Sequence, residues 1–224
     1  MSHIIDYTEA QRLIYGFWNS FVQPKQNNIP IGGKLLLSAM RTNHTVNALE
    51  PGHEEGCRFW HCMDAELNSL QNAKWFVACE WIQTSYYQPT SAAMGNILAA
   101  PDLNDLISYP IGEVSVASFL ENSLFAISTN QFRDKSELLA WVKSFVHNFQ
   151  LNPEGVAFFA NKSGTEEVQK FETQVAAANG SVVYFFGYDD RLTANNLRLI
   201  LFCADSTGKL QLADSHIILE RSRP

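Results

Sequence analysis

Charge is scarce in this chain, and none of the short motifs that mark common chemistries occurs. Charged residues make up 17% of the 224 positions, and no stretch of lysine and arginine is denser than "ERSRP" at the end. Nucleic-acid binding gains its free energy by releasing counterions from a concentrated cationic footprint, so this distribution argues against DNA or RNA as a partner. With a net charge of -7, it argues equally against an anionic membrane surface. No apolar run approaches the ~20 residues that a membrane span requires. The opening "MSHIIDYTEAQRLIYGFW" shows no basic segment followed by an apolar one, so no secretory signal is expected.

The four cysteines, Cys57, Cys62, Cys79 and Cys203, form no C-x-x-C pair. A chain of this size without an export signal is expected to keep free thiols and to be intracellular, in the cytoplasm. There is no G-x-S-x-G, no H-E-x-x-H and no dinucleotide fingerprint. Two segments resemble phosphate loops only in part. "IGGKLL" lacks the first glycine at the required offset and the Ser or Thr after its lysine, while "DSTGKL" is expected to join two strands, so no helix N-terminus follows its lysine.

What the chain does have is apolar and aromatic bulk, 46% and 12% of its residues. That suffices for a core without disulfide or metal staples. The spacing predicts a first helix: Asp6 precedes Glu9 at capping-box distance, and Leu13, Ile14, Phe17, Trp18, Phe21 and Val22 recur on one side, ending before Pro24. A second helix is expected over 57–70. "KWFVACEWIQTSYY" reads as a central strand, because both of its faces are mostly apolar.

Residues 89–112 carry Pro89, Pro101 and Pro110, and the division between two halves, 1–110 and 111–224, is placed there. The second half reads as strand "SLFAIST", a helix over 134–149, strand "GVAFFA", a helix stopped by Gly180, and strand "SVVYFFG". "LRLILFCAD" and "LQLADSHIILE" then follow as an antiparallel hairpin. The expected fold is mixed α/β: a helix-rich N-terminal half with a central strand, and a C-terminal β-α-β-α-β unit extended by the hairpin. Crossover helices would make the first three of those strands parallel.

"HEEGCRFWHC" at 53–62 is the chemically densest stretch. On a helix, Cys57, His61, Asp64 and Asn68 share one side, with His53 joining if the helix starts early. Three readings follow. His53, Cys57 and His61 carry metal-ligand chemistry, and a thiolate and an imidazole one turn apart could share a zinc ion. Across a helix, however, His53 and His61 lie ~12 Å apart. Alternatively, Cys57 acts as a nucleophile with His61 or the distant His216 as base, although Glu54 and Glu55 oppose a thiolate. The third reading is a structural helix edge, and it is preferred.

Parallel sheets bind ligands beyond the carboxyl ends of their strands. That rim would gather Thr129 and Asn130, then Asn161, Lys162, Ser163 and Thr165, then Tyr188, Asp189, Asp190 and Arg191. The candidate ligand-binding set is therefore Asn130, Lys162, Ser163, Thr165, Asp189, Asp190 and Arg191. Glu80, on the expected central strand, is either a buried acid suited to proton transfer or, as preferred, a residue of a surface strand or half of an ion pair with an arginine. The functional expectation is a non-catalytic ligand-binding or protein-interaction protein. Cysteine-dependent hydrolysis through Cys57, or zinc binding through Cys57 and His61, is the alternative. No cofactor follows from the sequence, and the partner classes left open are a small molecule, a protein and a second copy of the chain.

Overall fold

Asp6 is held in an extended conformation, and its side chain accepts a hydrogen bond from the Glu9 amide at 2.7 Å. This caps the first helix, α1, Tyr7–Phe17, which continues as a π-helical turn over Trp18–Val22. The computed structural model describes residues 3–22, 39–42, 56–64, 74–82, 97–99, 113–122, 124, 131–133, 135–150, 157–161, 166–193, 196–213 and 217–221. Among these residues, three further helices follow: α2, Glu113–Asn122; α3, Lys135–Phe149; and α4, Glu166–Ala177.

The buried stripes of these helices match their apolar spacing. Leu13, Ile14, Phe17 and Trp18 of the first helical segment are buried, as are Val142, Phe145 and Phe149 of α3. α2 escaped the sequence reading. "EVSVASFLEN" mixes serine with β-branched residues, and Val116 and Leu120, one turn apart, are buried. Tyr7 ties α2 to α1 through a hydroxyl donated to the Ala117 carbonyl at 3.2 Å.

The strands are β1 His3–Ile4, β2 Ala39–Thr42, β3 Gly56–Asp64, β4 Lys74–Ile82, β5 Ile97–Ala99, β6 Gln131–Arg133, β7 Ala157–Asn161, β8 Ser181–Tyr188, β9 Leu197–Ala204 and β10 Ile217–Arg221. They form two antiparallel sheets, one in the order β1-β10-β9-β8-β2 and the other β6-β5-β4-β3-β7. Each sheet draws strands from both sides of residue 110.

Among the described residues, the core is centred on β8 and β9. Their register runs from Ser181 opposite Ala204 to Tyr188 opposite Leu197. Strand alternation puts Val182, Tyr184, Phe186, Leu199 and Leu201 on one face. Phe186 identifies what covers that face: its ring lies 5.3 Å from Phe17 of α1 and 5.5 Å from Phe145 of α3. Edge-on aromatic contacts of this kind add about 0.5–1.5 kcal/mol each beyond the area they bury. Val183, Phe185, Ile200 and Phe202 on the opposite face are buried too, with Phe185 and Phe202 packed edge to face at 5.4 Å. α4 packs against β1, β9 and β10.

Two glycines permit the close approach of elements. A Cβ at Gly16 would stand 2.5 Å from the Tyr188 carbonyl oxygen, so α1 could not lie this near β8 with any side chain there. A Cβ at Gly180 would collide with the Ala204 carbonyl oxygen. The left-handed residue that ends α4 is Asn179, at φ 46, rather than Gly180. Gly180 is required instead for contact between the turn and β9.

Two expectations are corrected. The helix expected over 57–70 is a strand from Gly56 to Asp64, where aromatic and apolar residues pair with β4 on one side and β7 on the other. The stretch carries enough bulky residues to satisfy either period, and its sheet partners decide between them. Next, "GVAFFA" does not run parallel beside β8. β7 pairs antiparallel with β3, whereas β8 pairs antiparallel with β9 and β2. A strand buried on both faces reads as a continuous apolar run whichever way its neighbours point, so periodicity could not reveal direction. The short connection between β8 and β9 excludes a parallel crossover between those two. Of the expected strand "SLFAIST", Leu124 forms a single bridge to Lys209, and the other residues lie outside the described residues.

Candidate functional site

Among the described residues, charged side chains from distant parts of the chain converge at the junction between α1 and the turn after β8. Glu9 and Arg12 stand one turn apart on α1, near its capped end. Asp189 follows the last residue of β8, and its amide donates to the Asn196 carbonyl at 2.8 Å. The Leu192 amide donates to the Asp189 carbonyl at 3.3 Å, closing a turn over 189–192. Asn196 buttresses this turn through its amide nitrogen, which donates to the Leu192 carbonyl at 2.6 Å and the Tyr188 hydroxyl at 3.2 Å.

Asp189 is the hub. Its Oδ1 accepts from Arg191 Nε at 2.8 Å, from Arg12 Nη2 at 3.0 Å and from the Arg191 amide at 3.3 Å. Its Oδ2 accepts from Arg191 Nη2 at 3.1 Å, which completes a two-pronged guanidinium–carboxylate pair. Glu9 receives Arg12 through both oxygens at 2.9 Å and Arg191 Nη2 at 2.6 Å. Arg12 Nη1 reaches Asp190 at 3.1 Å. Three carboxylates thus surround two guanidiniums, joining positions 177 to 182 residues apart.

The electrostatics follow from these contacts. The guanidinium of Arg191, with help from Arg12, holds the Asp189 carboxyl down at about 2 against partial burial. Arg12, with Arg191 behind it, lowers the Glu9 carboxyl as well, and both arginines are raised in return. Asp189 and Glu9 stay ionised at neutral pH, which suits a fixed acceptor and not a proton-transfer group.

Of the expected ligand-binding residues, the structure brings together Asp189, Asp190 and Arg191. Asn130, Lys162, Ser163 and Thr165 lie outside the described residues, and so do His53 and His216. Glu9 and Arg12 were missed as site residues. Their cap and i,i+3 spacing were legible, but nothing local connects them to a turn at the other end of the chain.

Cys57 and His61 both lie on β3. Four residues along a strand span ~13 Å, so the helical proximity that suggested a shared zinc ion is lost. Cys57 stands opposite Trp81, and His61 opposite Val77. Glu80 is in register with Arg58 across the β3–β4 pair. Among the described residues, no group of three or more His, Cys, Asp or Glu is placed to hold a metal ion. Cys203 is buried, and desolvation pushes its thiol up to about 11, so it remains protonated.

The "DSTGK" turn is filled by its own aspartate. Asp205 Oδ1 accepts from the Thr207 hydroxyl at 2.6 Å and from the Thr207 and Lys209 amides at 2.9 and 3.1 Å. Gly208, at φ 92, supplies the left-handed step. Amides that would cradle a phosphate elsewhere are already bonded here. Among the described residues, no helix is long and apolar enough to cross a membrane. No family model matches the chain, and no curated protein or solved structure matches it significantly.

Proposed function

We propose that this is a non-catalytic interaction protein and that the turn 189–192 is a contact point for a protein partner. One observation carries the reading: a turn is held by an internally satisfied charge network while its outer side chains remain open. The Asp189 side chain is only 11% exposed, whereas those of Asp190 and Arg191 are 67% and 58% exposed. Leu192, next in the chain, is 42% exposed. A pre-ordered turn that presents an arginine beside an aliphatic group loses little freedom on binding, which favours affinity for a protein surface. The setting we infer is the cytoplasm, where cysteines with no paired spacing remain thiols.

A photoreactive amino acid placed at position 192 tests the proposal, with the same group at Thr173 on the exposed side of α4 as control. A single discrete adduct from position 192, absent from position 173 and lost in Arg191→Glu, supports it. An adduct of twice the chain's mass identifies a second copy as the partner. Equal or no crosslinking from the two positions removes the turn as a contact point.

A further inference from the structure

We draw no further inference here: the strongest candidate, the exposed tip Asp190–Leu192 beside the charge cluster that joins α1 to the end of β8, belongs to the site already described, and nothing in the structure shows what chemistry would cover it.

Discussion

Glu166 and Lys170 on α4 form an ion pair at 2.7 Å, within the 2.6–3.1 Å span of the charge cluster at α1, yet the two sites hold the fold very differently. The α4 pair joins residues of one helix turn, and its side chains are 80% and 59% exposed. Water and salt screen it, and the geometry of the helix would exist without it. The Asp189 cluster joins α1 to β8 across most of the chain, uses two guanidiniums on one carboxylate, and sits at the edge of the aromatic core. Ion pairs contribute when they are partly desolvated, geometrically paired and connect elements that would otherwise separate. Bond length alone carries none of that information.

Substitutions along a line from the core outward sharpen this contrast. The largest effect is expected at Phe186, whose ring joins α1, α3 and β8. Phe186→Ala should lose about 3–5 kcal/mol in urea unfolding, through lost burial and the cavity left behind. An unchanged midpoint would mean that this packing does not exist in solution.

Asp189 should come next. Its carboxyl titrates at about 2 in the folded protein against 3.8 as the ordinary value. Because the folded value is the lower one, the stabilisation is complete above the ordinary carboxylate range and disappears as pH falls from 3.8 toward 2. Its size is on the order of 2 kcal/mol. Asp189→Asn should therefore lower stability at neutral pH and flatten the acid limb of the stability profile. If the variant and the parent unfold with the same pH dependence below 4, the hub role is wrong.

A smaller effect, with an informative sign, is expected at Gly16. On an open helix, replacing glycine by alanine stabilises by ~1 kcal/mol. Here the new methyl would meet the backbone oxygen of Tyr188, which cannot rotate away. Overpacking typically costs ~1–3 kcal/mol, so Gly16→Ala should destabilise by roughly 1 kcal/mol net. A gain in thermal midpoint would show that α1 lies farther from β8. The smallest effect is expected from Glu166→Gln, which should leave the unfolding midpoint where it is at both low and high salt. A salt-dependent loss there would erase the distinction between the two ion-pair sites.

Thiol chemistry supplies an independent measurement. Cys203, buried on β9 with its thiol held protonated, should resist iodoacetamide until the protein unfolds. The same reaction followed at Cys57 decides the hydrolase alternative. A rate no faster than that of a free peptide thiol ends it.

Much of the helical structure was legible in the sequence, because amphipathic helices with caps are local objects. Asp6 and the Leu13–Trp18 stripe mark α1, and Val142, Phe145 and Phe149 mark α3. Half of the candidate site was legible in the same way, since "YDDR" after an apolar strand is a polar turn wherever the strand lies. The other half, Glu9 and Arg12, belongs to a helix that spacing explains completely without reference to position 189. "CRFWHCMD" shows the opposite failure, where a dense local pattern invites a helical reading and the chain forms the strand β3 instead.

By itself, the sequence determined where the chain turns apolar, where α1, α3 and α4 run, and that β8 and β9 are buried strands, because propensity, capping and hydrophobic period act over a few residues. Only the tertiary structure decided the direction of β7 and β8 relative to their neighbours, the partition into two sheets and the meeting of Arg12 with Asp189. Those depend on which surfaces find each other across long separations, and a buried strand presents the same residues to a parallel neighbour as to an antiparallel one.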